Sequence, residues 1–213
     1  MNLGILIIVV SILGYFSNWF NWRYLDFFWV RFLYRIGVIV HELFHALFCV
    51  LTFAEIKEIS LFSKEPHVTY TKSKIPFLGN FLISVAPLFG GLGLIFLVNK
   101  FFLADYFTLP QIGNIKSIFL GPFHILSQIN LFEWQSWLTI FLLLNIGATI
   151  GPSFRDLKNI WPLLLVLLFV KWQSAGQLAL LAIILILTNI LLQITVFFVF
   201  RAIKAIIHLL ASL

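Results

Sequence analysis

The feature that most constrains this chain is its succession of apolar runs, at roughly residues 2–20, 33–54, 76–99, 136–152, 159–172 and 176–200. A helix that crosses a bilayer needs about 20 apolar residues. Four of the runs meet that length; the fourth and fifth are short and read as tilted, broken or partly re-entrant segments. The expected fold is an all-α polytopic membrane protein of five to six transmembrane segments with a small β hairpin at the membrane surface. The 213 residues form one domain, with no repeat and no separate soluble module.

Composition agrees. Only 10% of the residues are charged and 62% are hydrophobic, against about 25% charged in a soluble domain. Residues 3–16 are apolar but carry neither a basic n-region nor an A-x-A cleavage site, so the first run reads as a retained helix rather than a secretory signal. The formal charge of +6 is spread along the chain. It reads as loop charge that sets orientation and meets anionic lipid, with no nucleic-acid patch. A single cysteine, Cys49, excludes an intrachain disulfide and reads as a small packing residue.

Residues 21–35 carry Arg23, Arg31 and Arg35 against one acid, Asp26, among Trp19, Trp22, Tyr24, Trp29 and Tyr34. Aromatics with arginines mark an interfacial stretch, and the positive-inside rule makes that side cytoplasmic. Residues 55–75 are the most polar stretch, with β-prone runs at 56–62 and 67–71 flanking Ser63-Lys64-Glu65-Pro66. They predict a hairpin, read either as a solvated connector or as an edge strand that pairs with an extended substrate. Residues 100–135 read as a long loop with turn signals at Leu109-Pro110 and Gly121-Pro122, before Trp134 and Trp137 return to the interface. The last run ends at Arg201 and Lys204, and a short amphipathic tail with His208 follows.

Inside the second run stands His41-Glu42-Leu43-Phe44-His45. On a helix, residues four apart stack on one face, so the two imidazoles can grip one metal ion. Glu42 then sits where it can take a proton from a water activated by that ion. If the helix enters the bilayer near Arg35, His41 and His45 lie roughly 9 and 15 Å deep. Ionisable groups at that depth are costly and are functional-site candidates by default. With five His and five Glu in the chain, chance produces this pattern in roughly a few of a thousand shuffled sequences. The alternative, two satisfied core histidines, would desolvate three polar groups with no gain.

A catalytic zinc takes three protein ligands and leaves one position open. Asp156 is the leading third ligand. It follows the breaker Gly151-Pro152-Ser153-Phe154-Arg155 between two apolar runs, where irregular backbone lines a cavity. Ser153-x-x-Asp156 is also a capping-box pattern, which alone would explain both residues. Glu133, His124 and His67 are the other candidates for the ligand, although the two histidines read more simply as loop residues.

These pieces, in their order, resemble the site-2 protease family of intramembrane zinc metalloproteases over about residues 30–165. HELFH lies in a membrane helix, a β-prone polar segment follows, Ala86-Pro87-Leu88-Phe89-Gly90-Gly91 opens the next helix, and Asp156 follows Asn145 in a later broken segment. The family's N-P-x-P-x-x-L-D-G is replaced by Asn145-Ile-Gly-Ala-Thr-Ile-Gly-Pro-Ser-Phe-Arg-Asp156-Leu157, closer to small variants ending in Pro-Ser-x-x-Asp, and there is no PDZ or CBS module. The resemblance implies one zinc per chain on His41, His45 and Asp156, with Glu42 as general base. It implies a membrane-anchored protein as substrate, unwound locally and held as an added strand by residues 67–71, Val68 and Tyr70 among them. Asn145 is a candidate for the substrate backbone or the oxyanion, or else makes an interhelical hydrogen bond. Gly90, Gly91 and Gly93 read as close-packing residues rather than a gate.

Three rivals remain in view. A membrane metal-ion transporter also uses His and carboxylates in broken helices, but usually on several helices along a route. A prenyl-protein type of zinc protease would need Glu133 as its later Glu ligand. A non-catalytic metal-binding scaffold is the third. Size and the lack of targeting features point to a prokaryotic plasma membrane. Nothing in the sequence marks an oligomeric state.

Overall fold

The computed structural model describes residues 2–25, 28–63, 66–75, 78–110, 115–169 and 173–211. Asp26, together with Lys64 and Glu65 of the expected turn, lies outside these residues, as do the side chains of Trp22, Trp29 and Arg31. The protein is an all-α membrane protein with one small hairpin. In chain order the elements are α1 (Leu3–Tyr24), α2 (Phe28–Leu51), β1 (Ile56–Ser60), β2 (His67–Tyr70), α3 (Leu78–Phe101), α4 (Ile115–Leu126), α5 (Trp134–Leu142), a π-helical turn (Leu143–Gly147), α6 (Phe154–Leu167) and α7 (Gln173–Ala211).

Four helices are long and apolar enough to cross a membrane: Leu3–Asn21, Tyr34–Leu51, Leu78–Phe101 and Gly176–Leu210. The fourth and fifth runs are short, as their sequences predict. From Trp134 through the π turn to Thr149 the chain is helical for about 24 Å, and α6 spans about 21 Å, each below the hydrocarbon thickness of about 30 Å. α6 starts at Phe154, five residues before the expected 159, because the Ser153–Asp156 cap opens it.

α7 packs along α1 and under α4 and the π turn, while α2 lies against α3 and the π turn. The main apolar core joins Leu6 and Val10 of α1, Leu88 and Ile95 of α3, Leu143 and Ile146, and Ile183, Ile184 and Ile186 of α7. Lipid tails are as apolar as these side chains, so close packing and interhelical hydrogen bonds must hold such a bundle together. One such contact is a buried polar seam in which Asn189 and Gln193 of α7 both donate to Ser17 Oγ of α1, at 2.6 and 3.3 Å.

The expected loop at 100–135 contains a helix instead. Gly121-Pro122, read as a turn, lies within α4. Tertiary packing outweighs the breaker signal there: a methyl at Gly121 would come within 2.7 Å of Ile184 on α7, so glycine is what lets α4 seat on its neighbour. The tail after Arg201 also continues α7 as helix to Ala211.

α2 ends in a left-handed residue, Phe53 (φ 57°), with Ala54 N–H donating to Cys49 O at 2.9 Å. This reversal sends the chain back along α2 as the antiparallel pair β1–β2, in register Ile59↔Val68 and Ser60↔His67. Buried Cys49 packs with Ala54 and Ile83 under Ile56 and Tyr70, as a packing residue should. The hairpin therefore returns to the level of Glu42, about 13 Å short of the end of α2.

Candidate metal centre

Three elements build the centre. α2 presents His41 and His45 one turn apart, their rings edge to face with centroids 4.8 Å apart. The break between the π turn and α6 brings Asp156 up to them. His45 Nε2 lies 3.2 Å from His41 Nε2 and 3.4 Å from Asp156 Oδ2, and His41 Nε2 lies 3.9 Å from the same oxygen. His45 and Asp156 are each 5% exposed.

The other ring nitrogens place one proton on each imidazole. His41 Nδ1 is 2.7 Å from Thr149 O, and His45 Nδ1 is 2.8 Å from Ile83 O. A carbonyl oxygen only accepts, so each Nδ1 carries the proton. With the Nδ1 protons accounted for, the two Nε2 atoms and the carboxylate face one another; if both rings are neutral, the three are acceptors with no donor among them. A positive charge joins such a cluster, whether a proton on His45 Nε2 paired with Asp156 or a metal ion in the same place. Ligand atoms about 2.0–2.1 Å from a tetrahedral centre lie roughly 3.3–3.4 Å from one another, and two of the three observed separations are within 0.2 Å of that range. Backbone carbonyls that fix the tautomer of ligating histidines are the usual outer support of such sites. His41, His45 and Asp156 are the one group of three or more such residues, among those described, that can hold a metal ion.

Asp156 is a cap as well. Ser153 N–H and Ser153 Oγ both donate to Asp156 Oδ2, at 2.8 and 2.6 Å, and Asp156 N–H donates back to Ser153 Oγ at 3.2 Å. The capping-box reading holds, and the capped oxygen is the one that faces the two imidazoles.

The centre opens into a cavity of about 1030 Å³. Its walls are Gly14, Tyr15 and Asn18 of α1, the Tyr34–His45 face of α2, residues 66–72, Asn80, and the Thr149–Asp156 break. Glu42 lines it beside the two histidines, with its carboxylate near the backbone of Val68. Every residue from Pro66 to Lys72, Val68 and Tyr70 included, borders the cavity. Successive strand residues point to opposite faces, so a continuous run of lining residues means that β2 presents its edge. β2 pairs with β1 on one side, and its other edge faces the cavity.

Other expected residues lie elsewhere. Asn145 is buried but does not line the cavity: its Nδ2 donates to Phe141 O at 2.8 Å within its own helix, and its Oδ1 has no hydrogen-bond partner. The amides that do border the cavity are Asn18, which accepts from Tyr34 OH at 2.6 Å, and Asn80, which accepts from Ser73 N–H at 3.1 Å. Glu133 pairs with Asn130 and His124 with Thr108, both away from the centre. His67 borders the cavity, with its Nε2 3.9 Å from Glu58 on β1. Of the three glycines, Gly90 seats the Phe44 ring and Gly91 abuts Ile150, while nothing lies near Gly93. Arg155, beside Asp156, also borders the cavity and was not singled out by the sequence; a lone arginine after a breaker carries no signal of where it points.

The chain matches no protein-family model, no curated protein and no solved structure.

Proposed function

We propose that this protein is a zinc-dependent intramembrane endopeptidase, a small relative of the site-2 protease family its HELFH segment resembles, multi-pass in a prokaryotic plasma membrane. The observation that carries the reading is the convergence of two Nε2 atoms and a carboxylate, two of their three separations near tetrahedral spacing and the third 3.9 Å, in a cavity that also holds a second carboxylate and a strand edge. Two histidines and one carboxylate leave the fourth position open, the arrangement of catalytic rather than structural zinc.

Zinc bound there supplies Lewis acidity, lowering the pKa of water to about 7 and polarising a peptide carbonyl. Glu42, one residue from a ligand and facing the cavity, takes the proton from the attacking water and delivers it to the leaving amine. The cavity-facing edge of β2 holds a membrane-anchored substrate as an added strand, which keeps the scissile bond extended and its backbone groups paired. A transport pathway would need further ligand groups in succession, and the described residues form one.

Glu42→Gln is the test, in proteoliposomes with a single-span substrate. The variant should keep its zinc and lose about 10²–10⁴-fold in cleavage rate. Cleavage within a few fold of wild type would overturn the general-base assignment, and zinc flux without cleavage by the wild type would replace the protease reading with a transporter.

A further inference from the structure

α3 carries a buried proline inside it, Pro87. Proline has no N–H, so the carbonyl four residues earlier loses its helical partner. That carbonyl is Ile83 O, which accepts the Nδ1–H of His45 at 2.8 Å. Ile83 is itself 0% exposed, so its carbonyl has no water to turn to and must find a donor inside the protein.

The second histidine repeats the arrangement. Thr149 O, which accepts from His41 Nδ1–H at 2.7 Å, is followed at three residues by Pro152 and at four by Ser153. Pro152 has no N–H, and the Ser153 N–H donates to Asp156 Oδ2 instead. Each candidate ligand ring thus meets a carbonyl without a helical donor: Pro87 removes the donor to Ile83 O, and Thr149 O stands at the end of its helix, with the Ser153 N–H turned to Asp156.

We infer that Pro87 is a positioning residue of the metal centre: by withholding an N–H from Ile83 O, it reserves that carbonyl for His45 Nδ1–H and so aims His45 Nε2 at the metal position. The inference rests on the metal-site reading above, but its geometry does not need the ion. Restoring an N–H at position 87 would close the helical hydrogen bond and put it in competition with His45. Pro87→Ala therefore loosens the ring while making α3 a better helix, a combination that a proline needed only for packing or for a kink would not give.

The experiment compares wild type, Pro87→Ala and, as control, Pro122→Ala in α4, which faces no candidate ligand. In metal-free protein labelled with ¹⁵N-histidine, the wild type should show a hydrogen-bonded, exchange-protected Nδ1–H for His45. That signal should be lost in Pro87→Ala and retained in Pro122→Ala. Zinc titrated against a chelating dye should bind Pro87→Ala about 10–100-fold more weakly, and unfolding of the zinc-free variant in detergent should occur at or above the wild-type temperature. An unchanged His45 Nδ1–H signal in Pro87→Ala overturns the inference, and so does zinc affinity equal to wild type. A lower unfolding temperature accompanying weaker binding overturns it in favour of a structural role. Failure of the wild type to bind zinc, with the histidine signals as expected, would instead remove the metal-site reading and leave Pro87 as the residue that orients His45.

Discussion

One oxygen, Asp156 Oδ2, takes both Ser153 hydrogen bonds and faces both imidazoles. Helix start and candidate metal ligand are thereby coupled through a single atom, and two substitutions separate them. Asp156→Asn keeps an oxygen for the Ser153 N–H but removes the charge, so zinc affinity should fall at least about tenfold while unfolding stability changes by less than about 1 kcal/mol. Ser153→Ala removes the cap hydroxyl and should cost about 0.5–2 kcal/mol of stability with a weaker hold on the metal. Dye-competition titration and detergent unfolding read both quantities. Equal zinc affinity in wild type and Asp156→Asn would leave Asp156 as a cap alone. From sequence, this residue presented two patterns that looked like alternatives, because spacing along a chain does not say how many partners one carboxylate oxygen can serve.

Among the elements, the contact that matters most is α2 against the π turn. Gly37 lies one turn before His41, and a methyl there would collide with the carbonyl of Asn145, while Thr149 Oγ1 donates to Gly37 O at 3.1 Å. This close approach is what carries Thr149 O to His41. Gly37→Ala should push the π turn away, cost about 1–3 kcal/mol as an overpacked site, and weaken zinc binding through His41. Gly93→Ala, at a position with nothing within 4 Å, should be neutral or stabilise α3 by about 0.5–1 kcal/mol and leave zinc binding unchanged. Equal effects from the two would mean that the glycine contact does not position the histidine. The HELFH helix and the hairpin were legible because periodicity and β-propensity are local. α4 was not, since Gly121-Pro122 reads as a breaker until Ile184, more than sixty positions later in the chain, is placed against it.

Over the whole molecule, the bundle surrounds a polar cavity that α1, α2, the returning hairpin and the α6 break all wall. Sequence reading gave the four long spans, two short segments, HELFH and Asp156. It did not give the cavity, because the carbonyls of Ile83 and Thr149 are backbone atoms that any residue type supplies, and it left Asn145 between a substrate contact and an interhelical hydrogen bond, where the structure has its Nδ2 on Phe141 O of its own helix. A metal that ties α2 to the α6 break should stabilise the fold as a whole. At zinc about 100-fold above its dissociation constant, the gain over chelated protein is about 2.7 kcal/mol. Chelator should therefore lower the unfolding temperature of the wild type and leave that of His45→Ala unmoved; the same shift in both would mean that the chelator acts elsewhere. The most direct test of the central claim is zinc content per chain in detergent-purified wild type, His45→Ala and Asp156→Ala. The account predicts about one zinc in the wild type, as a single three-ligand site requires, and its loss in both variants. A wild type that takes up no zinc after reconstitution, or variants that retain it, would contradict the account.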